Sequence, residues 1–122
     1  KIRNIKNRNK FIVFSIHWGS NWVKGEMPEH IKSFGRNLID YGVNIVYGHS
    51  THHIVENPIE EYNNGIIIYG LGDFINDYAI NKTYNSDEAL ICIINKKRNK
   101  LIPEIIKIKR KFINNSSIPL II

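Results

Sequence analysis

The sequence predicts an α/β fold: a parallel βαβ unit, then a β-hairpin, then further antiparallel strands. Three observations carry this. Phe11-Ile12-Val13-Phe14-Ser15-Ile16 is a nearly continuous run of β-branched and aromatic residues, the pattern of a strand buried on both faces. Residues 28–41 repeat apolar positions at helical spacing, and a second short apolar run follows them. Asn63-Asn64-Gly65 separates two β-prone segments, and Asn-Gly is the strongest short-range hairpin signal.

The elements follow in order. Residues 1–10 are a basic lead-in without periodicity, and the first residue is Lys1, so the sequence reads as a processed chain or a piece of a longer one. The first strand spans 11–16, and His17-Trp18-Gly19-Ser20-Asn21-Trp22 leaves it. Pro28 suits a first helical turn. Ile31, Phe34, Leu38 and Ile39 make an apolar face, Glu29, Lys32, Arg36 and Asp40 lie elsewhere around the wheel, and Gly42 is the stop signal. Val43-Asn44-Ile45-Val46-Tyr47 is the second strand, ended by Gly48. Strand–helix–strand units of this kind are almost always parallel.

Residues 48–58 form a loop with a short strand around Ile54-Val55. The hairpin arms run from Ile59 to Tyr62 and from Ile66 to Tyr69. Gly70-Leu71-Gly72-Asp73 breaks the second arm, and residues 74–88 are polar and irregular. Two more strands, Ala89 to Asn95 and Leu101 to Lys109, flank the polar turn from Lys96 to Lys100. One domain therefore covers 11–110, with a weakly determined tail at 111–122.

At 122 residues the chain holds one modest core. No apolar run approaches the ~20 residues of a membrane helix, and the polar opening segment has no signal-peptide pattern. Cys92 is the lone cysteine, set in an apolar run, so no disulfide framework or cysteine zinc site is expected. Net charge is +6, but residues 11–95 carry four bases against ten acids. The basic ends enclose an acidic middle suited to cations. No aromatic-interleaved basic stripe is present, and nucleic acid is not an expected partner.

Four of the five histidines gather where the chain leaves the predicted sheet. His17 follows the first strand, His49 lies two residues past the second, and His52 and His53 extend the group. Ligands of open α/β sheets bind beyond the carboxyl ends of the strands, so these rings are expected at one rim. Neutral imidazole is the commonest metal ligand. Gly48 lets the chain turn sharply beside them. Asp73 and Asp77 are nearby carboxylates for a ligand shell or for acid–base work. The plainer alternatives are a hydrogen-bonded structural role for each histidine, core covering for Trp18 and Trp22 rather than ligand stacking, and a turn role for Asp73. Glu60-Glu61 reads as a solvated face, and His30 as an exposed helix residue. No Ser/His/Asp or Cys/His arrangement supports a protein nucleophile.

The ordered motifs carry a resemblance. FIVFSIHWG at 11–19, LIDYGVNIVYGHSTHH at 38–53 and IEEYNNGIIIYGLGDFIND at 59–77 together resemble the carboxy-terminal half of the CapA-like capsule synthesis, or poly-γ-glutamate biosynthesis, family. The resemblance implies part of a metallophosphoesterase-like α/β/β/α sandwich. It implies a divalent metal (Mn, Fe or Zn) on His17, His49 and His52, with His53 as a competing ligand, because the related phosphoesterases have one residue between their loop histidines and this chain has two. It implies a catalytic set of His17, His49, His52 and Asp73 in a metal-dependent hydrolase or transferase. That enzyme would be completed by an amino-terminal half of the same domain, which carries acidic ligands. An anionic polymer or a small phospho or amide substrate is the implied partner. The non-enzymatic alternatives are a polymer-binding or scaffolding component of capsule export and an inactive fragment. Members of the family are often exported or membrane-associated.

Overall fold

The computed structural model describes residues 11–113 and 116–122. The elements are β1 (Val13–His17), α1 (Glu29–Asp40), β2 (Ile45–His49), β3 (Ile59–Tyr62), β4 (Gly65–Ile68), β5 (Glu88–Lys97), β6 (Lys100–Ile113) and β7 (Ser116–Ile121). They form two sheets, ordered β1-β2-β4-β3 and β5-β6-β7. The first is mixed: β1, β2 and β4 run parallel and β3 pairs antiparallel with β4. The second is wholly antiparallel. The basic lead-in at 1–10 lies outside the described residues.

Helix α1 packs on one face of the first sheet and the second sheet packs on the other. Strand β4 shows why. Its Ile67 faces the helix with Val46, Leu38 and Ile39, while Ile66 and Ile68 face Leu101, Leu90 and Cys92 of the second sheet. Ile66, Ile67 and Ile68 are all buried, as a strand covered on both faces requires. Cys92 is half-buried there, and burial raises its thiol pKa.

The helix matches the expected span, with Pro28 at its N-cap and Val43 N–H to Leu38 O and Gly42 N–H to Ile39 O closing a Schellman ending. Gly42 takes the left-handed φ of 106° that this ending needs. One expectation fails: Phe34 is 45% exposed, and Gly35 takes its place against the sheet. A Cβ on Gly35 would lie 3.0 Å from Ile67 Cγ2, so the helix sits close on the strand and a side chain there would need Ile67 to give way.

The hairpin turn also differs in detail. Asn63 and Asn64 carry the positive φ values, 44° and 63°, of a two-residue turn, and Gly65 already belongs to β4. Gly65 is required by packing, since a Cβ there would stand 2.6 Å from Ile39 Cδ1. The expected strand near Ile54 is reduced to a single bridge with Leu71. The described residues of the segment read as a tail form strands: β6 continues to Ile113, and β7 pairs with it from Ile108↔Ile121 to Ile113↔Ser116. Main chain also ties the second sheet to the segment that follows β4, with Leu90 N–H donating to Leu71 O at 2.8 Å.

Candidate functional site

Both strand-end histidines belong to their strands rather than following them. His17 and His49 are the last residues of β1 and β2 and are register partners. Adjacent partners in a parallel pair project to the same face. Their ring centroids are 5.3 Å apart in an edge-to-face arrangement. The period of two also brings Ser15 and Tyr47 to this face, and the Tyr47 ring lies 5.7 Å from that of His49.

Gly48 is essential between them, for a reason other than the expected turn. The Trp18 indole fills its side-chain position: a Cβ on Gly48 would lie 2.1 Å from Trp18 Nε1. That indole is buried, stacks on Tyr69 and donates to Tyr69 O at 3.1 Å. Trp18 is therefore a core residue. The bend after the strand falls on Ser50, at a φ of 141° that side-chain-bearing residues rarely adopt.

The loop then sorts its two histidines. His52 Nδ1 donates to Asp73 Oδ2 at 2.8 Å, and His52 N–H is anchored on Asn21 O. A carboxylate acceptor fixes the proton on Nδ1 and leaves the lone pair on Nε2. His53 is buried: its Nε2 accepts from Val23 N–H at 3.0 Å and its Nδ1 donates to Ile54 O at 2.9 Å. Both ring nitrogens are used, so His53 is a structural residue and no competitor for a ligand. Burial, the neighbouring His52 adding to it, holds its pKa below the ordinary histidine value against the opposing Ile54 bond. Trp22 stacks on His53 at 6.0 Å and lies 5.6 Å from His52.

A single cleft of about 730 Å³ is lined by His17, His49, His52 and Asp73, with Tyr47 and Leu90 among its other walls. The four expected site residues thus share one rim. Among the described residues, however, no group of three His, Cys, Asp or Glu side chains stands close enough to hold a metal ion. The donor chemistry fits a divalent cation, with two facing imidazoles and a third oriented by a carboxylate, but the cage is not closed. Asp77 belongs elsewhere, accepting from Ser117 N–H at 2.8 Å.

Sequence reasoning missed Ser15 and Tyr47, which a period-two count back from each histidine would have found. It also missed Asn76, whose Nδ2 donates to Asp73 Oδ2, and Glu60. Glu60 is no solvated residue: it binds Arg36 Nε at 2.8 Å and accepts from the buried Tyr69 hydroxyl at 2.5 Å. Burial raises the Glu60 pKa, but Arg36 and Tyr69 together bring it below the usual carboxylate value.

The chain is similar in sequence to known capsule proteins. A protein of Mycobacterium tuberculosis named "Probable polyglutamine synthesis accessory protein" is 42% identical over 73 residues, 60% of this chain and 18% of that protein. The PGA biosynthesis protein CapA of Bacillus subtilis is 32% identical over 90 residues, covering 74% and 22% of the two chains. The capsule biosynthesis protein CapA of Bacillus anthracis is 30% identical over 86 residues, covering 70% and 20%. The chain spans about a fifth of the length of these relatives. The family pattern of the bacterial capsule synthesis protein PGA_cap matches residues 1–78, the stretch that holds both strand-end histidines, the His52 loop and Asp73. By that match, over more than half its length, the chain belongs to the PGA_cap family of bacterial capsule synthesis proteins.

Proposed function

We propose that this chain is a metal-dependent hydrolase or transferase module acting in the synthesis of a capsule polymer such as poly-γ-glutamate. The observation that carries the reading is the register pairing of His17 with His49 at the mouth of a cleft that His52 and Asp73 also line. His17 and His49 would hold a divalent cation (Mn, Fe or Zn), with His52 as third donor and water or substrate oxygens in the remaining positions. When bound, the ion would polarise an ester, phosphoester or amide carbonyl, or activate water. Asp73 keeps the proton of His52 on Nδ1 and so presents Nε2 as a donor. Tyr47 and Leu90 would offer the substrate an apolar wall.

Bound metal, measured after loading and desalting the wild-type chain and His49→Ala, tests this. Stoichiometric metal in the first and its loss in the second supports the reading. Equally negligible metal in both ends it.

A second reading has its own observation. The β5–β6 turn exposes Lys96, Lys97, Arg98 and Lys100 together. Such a tip would meet a polyanion electrostatically. Binding of poly-γ-glutamate that weakens with salt and ignores chelators would favour a scaffolding role over catalysis.

A further inference from the structure

We propose that Asn76 is the positioning residue of the His52–Asp73 pair, held in place by Arg110 from the second sheet. The proposal extends the reading of His52 as a metal donor, and its first half stands without it.

Every polar group of Asn76 is engaged. Its Nδ2 donates to Asp73 Oδ2, the same oxygen that accepts from His52 Nδ1. Its Oδ1 accepts from Tyr78 N–H at 2.8 Å, and its own N–H donates to Ser117 Oγ at 3.1 Å. Its carbonyl accepts from Arg110 Nη1. Arg110 is 3% exposed, and its Nη2 donates to Ser86 O. One guanidinium thus holds two carbonyls of the irregular 74–88 segment. A buried arginine that meets backbone carbonyls instead of a carboxylate is costly to desolvate, and its fork geometry suits the clamping of two loop points.

The chemistry at Asp73 follows. A carboxylate on an irregular segment has free torsions, and one acceptor bond to an imidazole does not fix its plane. The amide N–H of Asn76 supplies the second bond. With the carboxylate fixed, His52 is held as the Nδ1–H tautomer, with its lone pair on Nε2. The line of contacts runs from β6 through Arg110, Asn76 and Asp73 to His52. Asn76→Asp keeps Oδ1 available to Tyr78 N–H, turns the donor facing Asp73 into an acceptor and adds a negative charge beside that carboxylate.

Two-bond proton–nitrogen spectra of the histidine rings at about pH 8, where an ordinary imidazole is neutral, test the proposal on the full chain. In the wild type His52 should show the Nδ1–H pattern. In Asn76→Asp its ring nitrogens should depart from that pattern while those of His53, fixed by Val23 and Ile54, stay unchanged. Asn76→Ser removes the amide donor without adding charge and should shift His52 in the same way, and it also serves if Asn76→Asp does not fold. A wild-type His52 in the other tautomer, a variant His52 identical to wild type, or equal shifts at His53 would each overturn the proposal.

Zinc titration of the same samples reads the extension. Loss of an outer partner of a metal ligand typically weakens binding about 10–100-fold, and that loss is expected for Asn76→Asp. Wild-type protein that binds no zinc sinks the metal reading but leaves the tautomer result standing. An unchanged His52 pattern sinks the role of Asn76 whatever the metal does.

Discussion

His17 and His49 are register partners on adjacent parallel strands, with ring centroids 5.3 Å apart and ring planes 76° from each other. Neither His17 nor His49 is buried, so truncating them leaves the core intact. His17→Ala and His49→Ala should each lower zinc or manganese affinity at least about tenfold, while melting temperature barely moves, as for surface substitutions within about 0.5 kcal/mol. His30→Ala, on the exposed side of α1, should leave affinity unchanged. Calorimetric titration of the four proteins decides it; equal affinities throughout would remove the pair from any site.

Gly48→Ala should be among the most damaging single substitutions. The added methyl would stand 2.1 Å from the Trp18 indole, which cannot retreat without losing its bond to Tyr69 O. Overpacking of this kind costs about 1–3 kcal/mol and more where the neighbour is rigid. Denaturant melts should show it, with Trp18 fluorescence moving to the red as the ring becomes wet. A variant as stable as wild type would mean that the indole has another place to sit.

His53 should make the fold acid-sensitive. Its folded pKa lies below its ordinary value of about 6.5, so the unfolded chain takes up the proton first. The stabilisation is full above about pH 6.5 and is lost as the pH falls through the lower folded value. His53→Gln, which keeps a donor and an acceptor, should show a flatter dependence of stability on pH across that window. Parallel curves for the two proteins would contradict the assignment.

Thr51→Val should stabilise the protein by roughly 1 kcal/mol. The Thr51 hydroxyl is buried and has no hydrogen-bond partner among the described residues, and it occupies the space where Gly70 has no side chain. An unsatisfied buried hydroxyl costs about 1–3 kcal/mol, and an isosteric methyl carries no such cost. Thermal unfolding measures the change; a drop in stability would show that the hydroxyl is satisfied in solution.

Much of this fold could be read because its signals are local. The apolar run before His17, the amphipathic stretch around Leu38 and the Asn63-Asn64 turn each report on a few consecutive residues, and each element appears within about two residues of its expected bounds. Phe34 and Gly35 exchanged roles because helical spacing does not register how closely a strand approaches. Strand β7 escaped notice because Ser116–Ile121 contains Pro119, which ordinarily argues against a strand but is tolerated at a sheet edge. The histidine rim was legible from strand ends alone. The separate fates of His52 and His53 were not, since they turn on Asp73 and Val23, 21 and 30 residues away in sequence. Arg110 is farther from the motif still, and its role shows only in three dimensions.

Beside the side-chain packing between the sheets runs one main-chain bond, Leu90 N–H to Leu71 O, with Gly72 close beneath Glu88 O. That bond depends on Gly72, whose φ of 78° and missing methyl let the two main chains approach. A chain cut after residue 78 would retain the whole stretch that the family pattern matches and lose the sheet on which Ile66 and Ile68 pack.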